Sequence, residues 1–207
     1  MGNVHIDQSV VTGTFSLDGE VHEVENNIWV LGNDSQCVVI DAPHDVEAIA
    51  ELVRDRKVLA ILCTHAHDDH VLKAPAAGQR FEAPVLLHPD DADLWALTHP
   101  DAEPDGALAD GDVYEVAGLR VEVMHTPGHS PGSVCFYVPR LKVVFTGDTL
   151  FQGGPGATGR SYSSREVLED SIGRKLMALD DETTVLPGHG ESTTIGAEAE
   201  NFDFSER

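Results

Sequence analysis

Three imidazoles and two carboxylates fall within six consecutive positions, His65 to His70, in the run Thr64-His65-Ala66-His67-Asp68-Asp69-His70. Neutral imidazole and carboxylate are the donors that zinc and iron accept. Just before them, Leu59-Ala60-Ile61-Leu62-Cys63 is a short apolar run of the kind that forms a buried strand. The donors therefore stand where a strand ends and the chain turns. In extended backbone, residues two apart point the same way, so His65 and His67 can approach one ion together. On a helix, neighbours two apart do not share a face, which separates this run from the helical two-histidine zinc motif. Asp69 and His70 follow the bend and can turn to a second ion.

Three more polar groups sit at the ends of apolar runs, where binding residues gather. His129 lies in Thr126-Pro127-Gly128-His129-Ser130-Pro131-Gly132-Ser133, a rigid turn between two strand candidates. Asp148 closes Val143-Val144-Phe145-Thr146-Gly147-Asp148-Thr149, and a carboxylate there is costly unless paired or metal-bound. His189 ends Val185-Leu186-Pro187-Gly188-His189. Each alone reads as a turn residue. Together with the cluster, five histidines and two aspartates fit two ions sharing one carboxylate. His5, His22, His44, His88, His99 and His125 lack this context and read as surface or core histidines, with His125 notable for bordering the His129 turn. Asp41 also closes a strand candidate near the site and is expected to orient a ligand, or the loop that carries it, through hydrogen bonds.

The elements that must position these groups follow from pattern. Val10–Leu17, Val21–Val24, Ile28–Leu31 and Cys37–Ile40 read as strands, the first two joined by Asp18-Gly19. Asp45 caps a helix over Val46–Arg56. After the cluster come a helix or turn at Val71–Gln79, a strand at Val85–Leu87, a helix at Pro89–Leu97 and a surface loop at His99–Asp112. Val113–Val116, Leu119–Met124, Val134–Val138 and Val143–Phe145 are further strands. Ser163 or Ser164 caps a helix reaching Leu179, Val185–Leu186 is a last strand, and the acidic tail after Ile195 has room for one helix. Strands in groups with helices at intervals suggest an α/β chain with two sheets face to face and helices outside.

At 207 residues one domain spanning 1–207 is expected. The net charge of −23 repels nucleic acid phosphates and anionic membrane surfaces, so neither is expected as a partner. Met1–Val10 shows no secretory signal pattern and no run reaches the ~18 apolar residues of a membrane span, which suggests a cytoplasmic protein. Cys37, Cys63 and Cys135 each lie in apolar runs and read as reduced core residues.

The runs Thr64–His70, Thr126–Ser133, Phe145–Phe151 and Leu186–Gly190 together resemble the metallo-β-lactamase superfamily, and within it the glyoxalase II (hydroxyacylglutathione hydrolase) branch in a short form. The resemblance spans about Ile28 to Glu191. It implies a four-layer αβ/βα sandwich with two mixed sheets and the metals at one sheet edge. It implies His65, His67 and His129 on the first ion, Asp69, His70 and His189 on the second, and Asp148 bridging, with Asp69 and Asp148 as the catalytic carboxylates. The implied cofactor is a pair of divalent ions, zinc, with iron or manganese as alternatives. Such a pair acidifies a shared water for attack on a carbonyl carbon and polarises the carbonyl oxygen.

The implied substrate is a thioester of a small thiol, since a thiolate leaves without full protonation. Phe151-Gln152-Gly153-Gly154 resembles the thioesterase branch, and Arg160 and Tyr162 have the spacing of its thiol-carrier contacts. Two departures stand out. Pro155-Gly156-Ala157-Thr158-Gly159 is longer than the turn the branch carries there, and no equivalent of the C-terminal helical domain that holds glutathione is expected. A mononuclear iron persulfide dioxygenase, a lactonase and a non-catalytic metal-binding sensor are the alternatives, and a homodimer is an open assembly.

Overall fold

The computed structural model describes residues 3–201. Strand alternation builds it. β1 (His5–Leu17) and β2 (Glu20–Gly32) form a long antiparallel hairpin. β2 pairs with β3 (Gln36–Ile40), which runs parallel to β4 (Lys57–Leu62). β5 (Val85–Leu87) and β6 (Gly106–Ala107) extend this sheet in parallel, giving the order β1-β2-β3-β4-β5-β6. β7 (Val113–Val116), β8 (Leu119–His125), β9 (Val134–Val138) and β10 (Val143–Gly147) form an antiparallel meander. β11 (Leu150–Phe151) and β12 (Gly154–Pro155) make a separate two-stranded hairpin. β13 (Thr184–Pro187) joins β10 in parallel and β14 (Thr193–Thr194) closes the second sheet, in the order β14-β13-β10-β9-β8-β7.

The period of two splits each strand between two cores. Trp29 and Leu31 of β2, with Val38 and Ile40 of β3, face the second sheet and meet Val121, Phe136, Val138 and Phe145. Their neighbours Ile28, Val30, Cys37 and Val39 point the other way. There they are covered by α1 (Val46–Val53), α2 (Asp68–Val71), α3 (Ala74–Phe81) and α4 (Ala92–Thr98). On the far face of the second sheet, Cys135, Val144 and Val185 pack against α5 (Arg165–Ser171), the π-helical turn Ile172–Leu176 that continues it, and Ile195 at the start of α6 (Ile195–Asn201). The result is a four-layer sandwich, helices–sheet–sheet–helices. No helix among the described residues is long and apolar enough to cross a membrane.

Several elements differ from the sequence pattern. β1 begins at His5 rather than Val10. β2 is one strand where two were expected, because Asn26 and Asn27 look like a turn but are held in the ladder opposite Val11 and Val10. Asn27 donates to the carbonyls of Pro187 and Gly190, and Gln8 donates to Asn27 Oδ1. α1 stops at Val53, since Arg54 turns to φ 57°. The Pro89–Leu97 helix divides into a 3₁₀ turn, Pro89–Asp91, and α4. The expected surface loop 99–112 contributes β6 and the fully buried Leu108. Residues 202–207 of the acidic tail lie outside the described residues.

Candidate metal centre

The ligand candidates gather on one edge of the sandwich, in loops at strand ends and in the short helix α2. β4 delivers His65 and His67, and α2 turns Asp69 and His70 back toward them. The loops after β8, β10 and β13 deliver His129, Asp148 and His189. The loop glycines are there for clearance. A Cβ on Gly188 would stand 2.5 Å from both Asp148 Oδ1 and His70 Cε1.

Two donor groups result. In the first, His67 Nδ1 lies 3.0 Å from His65 Nε2 and 2.9 Å from His129 Nε2. In the second, His189 Nε2 lies 3.2 Å from both His70 Nε2 and Asp69 Oδ2. Asp148 spans them. Its Oδ1 is 3.2 Å from His70 Nε2, and its Oδ2 is 3.4 Å from His189 Nε2 and 3.6 Å from His129 Nε2. The structure thus brings all seven sequence-selected residues together.

The hydrogen bonds behind the rings fix which nitrogen faces inward. His70 Nδ1 donates to Asp41 Oδ2 at 2.8 Å, His129 Nδ1 to the Ala157 carbonyl at 2.8 Å, and His189 Nδ1 to the Glu25 carbonyl at 2.6 Å. Thr64 Oγ1 donates to Asp41 Oδ2, so it accepts from His65 Nδ1 at 3.0 Å. Four inward nitrogens therefore present lone pairs: those of His70 and His189 lie 3.2 Å apart, and those of His65 and His129 lie 3.0 and 2.9 Å from His67 Nδ1. Lone pairs so placed repel unless a cation lies between them, and imidazole held by a partner on its far nitrogen is how proteins present it to a metal. The donor set fits two divalent ions.

Without ions, protons serve as the cations. Burial opposes a charge on His189, but Asp148 and Asp69 outweigh it and raise its pKa from 6.5 to about 10. His70 is raised against burial by Asp148, Asp69 and Asp41. Burial would raise the Asp69 carboxyl, yet His70 and His189 bring it down to about 2. Asp148 is held well below 3.8 for the same reason. On the three-histidine side, burial together with the other rings pushes His67 down to about 3 and His65 well below 6.5.

A pH dependence follows. In the metal-free protein, the raised pKa of His189 contributes stability that is fully present below pH 6.5 and lost as pH rises toward 10, with His70 acting in the same direction. Metal binding displaces those protons, so it strengthens over the same range. The rise in Tm on adding zinc to chelator-treated protein should therefore grow from pH 6.5 to 8.5. Taking this difference cancels effects common to both forms, such as the buried thiols. An increment that stays flat or shrinks would contradict this account of the cluster.

Some of these partners were invisible in the sequence. Asn26, from the middle of β2, donates to Asp69 Oδ2 at 3.0 Å and is itself held by His44 at 2.9 Å. Its only signal was an Asn pair interrupting an apolar run. His125 Nε2 donates to the Pro131 carbonyl, bracing the loop beyond His129. His125 also stacks on His88 at 4.0 Å with the rings 13° from parallel, and Asp90 lies nearby. Parallel rings cannot aim in-plane lone pairs at one ion, so this second His–Asp group does not form a chelate in the observed geometry.

The two residues carried over as thiol-carrier contacts part company. The Arg160 guanidinium stands over the Phe15 ring at 4.9 Å, 3.2 Å from His22 Nε2, in the wall of a narrow crevice beside His67 and His129. Tyr162, at φ 69° and 44% exposed, lines neither that crevice nor the main cleft, so the structure does not bring it to the site. The 155–159 loop folds back so that the Ala157 carbonyl caps His129. The main cleft, about 470 Å³, opens on Asp148 and His189 between Phe151, Gln152, Ala157 and Glu191.

A four-layer sandwich carrying this His/Asp edge cluster is matched by the family model of the metallo-β-lactamase superfamily over residues 23–189. The chain belongs to that superfamily, whose members are mostly hydrolases. Among its relatives is the hydroxyacylglutathione hydrolase GloC of Haemophilus influenzae, 33% identical over 192 residues, covering 86% of this chain and 90% of GloC. Among solved structures, BLEG-1 B3 metallo-β-lactamase superposes with a TM-score of 0.80 at 33% identity, covering 95% of this chain and 100% of that one. TTHA1623 in a di-iron-bound form gives 0.72 at 36% identity, covering 87% and 96%.

Proposed function

We propose that this protein is a two-ion metallohydrolase that cleaves a thioester of a low-molecular-weight thiol. The observation that carries the two-ion part is Asp148, whose two oxygens reach both donor groups. The thioester part is supported by the likeness to GloC and by the Phe151–Gly154 wall of the cleft. Two divalent ions in these groups would acidify a shared water and polarise a substrate carbonyl.

The chain's own residues do the rest. Asp148 holds the two groups in one register, and Asp69, steadied by Asn26, completes the second. Phe151 and Ala157 offer an apolar wall to the acyl or thiol moiety, while Gln152 and Glu191 supply polar contacts at the mouth. A thiolate leaving group needs no acid from the protein. The cysteines offer no competing nucleophile: burial raises Cys37 and Cys135 to about 11 and Cys63 well above 9.0. With a net charge of −23, a small molecule rather than a nucleic acid is the expected partner, in the cytoplasm.

Metal content and thiol release test this together. Protein purified without added metal should hold about two zinc, iron or manganese ions per chain and should release free thiol from acyl thioesters. One iron per chain with oxygen uptake on a persulfide would overturn the reading in favour of the dioxygenase. Two ions with lactone opening and no thioester cleavage would overturn its substrate part.

A further inference from the structure

The 3₁₀ turn after β5 ends in Asp91, a carboxylate with no exposed surface. Its Oδ2 accepts from Ala66 N and from Ser130 Oγ, each at 2.8 Å, and its Oδ1 accepts from Gly132 N at 2.5 Å. Ala66 lies between the ligands His65 and His67, and Ser130 follows the ligand His129. The two loops belong to different sheets, one after β4 and one after β8. Asp91 is thus a clasp between the strand ends that supply the three-histidine group. Two of its three donors are backbone N–H groups, which can only donate, so both oxygens serve as acceptors and span the two loops. Space has been left for it: a Cβ on Gly132 would stand 2.8 Å from Asp91 Cγ and 2.7 Å from its N. No comparable bond ties Asp91 to Asp69, His70 or His189.

We infer that Asp91 is a positioning residue that sets the separation of His65 and His67 from His129, and thereby the affinity of the first ion alone. Metal ligands within a few tenths of an ångström of their required places bind far more tightly than loosely held ones, and the partners behind them are worth about 10-fold to 100-fold in affinity.

This rests on the metal-centre reading, and the experiment separates the two. Asp91→Asn is nearly isosteric, yet its NH₂ must face a backbone N–H in one loop or the other. In an H189A background only the three-histidine group is complete. There D91N should weaken zinc, titrated against a chromophoric chelator, by about 10-fold or more. In an H129A background, where only the second group is complete, D91N should leave zinc affinity unchanged. Ser130→Ala removes one hydroxyl bond and should give a smaller loss, about threefold to tenfold, in the H189A background only. It also serves if D91N does not fold. Equal losses in both backgrounds would reduce Asp91 to general structure, and no loss in the H189A background would overturn the inference. If wild-type protein takes up a single ion, the two-ion reading fails, while the H189A arm still decides the role of Asp91.

Discussion

We expect Asp148→Ala to lower kcat/KM for thioester cleavage about 10³-fold or more, with the fold retained. Asp148 reaches both donor groups, at 3.2 Å from His70 and at 3.4 and 3.6 Å from His189 and His129. Removing it leaves each group with its own donors but takes away the charge that holds them together. A loss of several kcal/mol of transition-state stabilisation, the scale of a metal's contribution, corresponds to about 10³ in rate. The strand that carries Asp148 is secured independently, since Val143–Gly147 is buried throughout and Thr146 Oγ1 donates to the Leu150 carbonyl. Near-UV circular dichroism should therefore match wild type. Initial rates at saturating zinc make the comparison, with Asp148→Asn as the near-isosteric control. Undiminished hydrolysis by either variant would remove the bridging carboxylate from the mechanism.

The ligands themselves were legible because they share one local signature, a polar donor placed where an apolar strand meets a glycine or a turn. His129, Asp148 and His189 each carry it, and the sandwich gathers strand ends at one edge. Of what holds the ligands, Asp41 was legible, as a carboxylate closing a strand beside the site, and it accepts from His70 Nδ1; the rest was not, for two physical reasons. Two of the inward rings are oriented by backbone carbonyls far along the chain, those of Ala157 and Glu25. A backbone carbonyl is present at every residue and so carries no sequence signal. Asn26 and Asp91 act across 43 and 25 residues, on Asp69 and Ala66, and their roles exist only once the sheets have packed. Local propensity even pointed the wrong way at Asn26-Asn27, because an Asn pair favours turns until tertiary partners satisfy it. Tyr162 shows the converse. Its spacing from Arg160 matched a pattern, but spacing through a loop of altered length does not fix direction.

Asp41→Asn should cost about 10-fold to 100-fold in affinity for the second ion, with a matching loss of activity at limiting zinc. Asp41 is the partner behind one ring in each group: it accepts from His70 Nδ1 directly, and from Thr64 Oγ1, which in turn receives His65 Nδ1. It also takes Thr64 N at 2.7 Å, pinning the start of the ligand run. The backbone there sits at φ 61°, a left-handed conformation that Asn tolerates well, so the variant isolates the side chain's chemistry from backbone strain. An amide that accepts from Thr64 N turns its NH₂ toward His70 Nδ1. Two donors cannot share that bond, so His70 moves its proton to Nε2, the atom that faces Asp148 and the second ion. The ring is then in place but in the wrong tautomer, the same logic by which an aspartate-to-asparagine change disables a catalytic histidine. The effect on His65 is weaker, because the Thr64 hydroxyl can rotate to keep it satisfied. Zinc titration of D41N in the H129A background, where only the second group is complete, should show the full loss, and in the H189A background a smaller one. Equal affinities for wild type and D41N in the H129A background would show that Asp41 does not set the His70 tautomer.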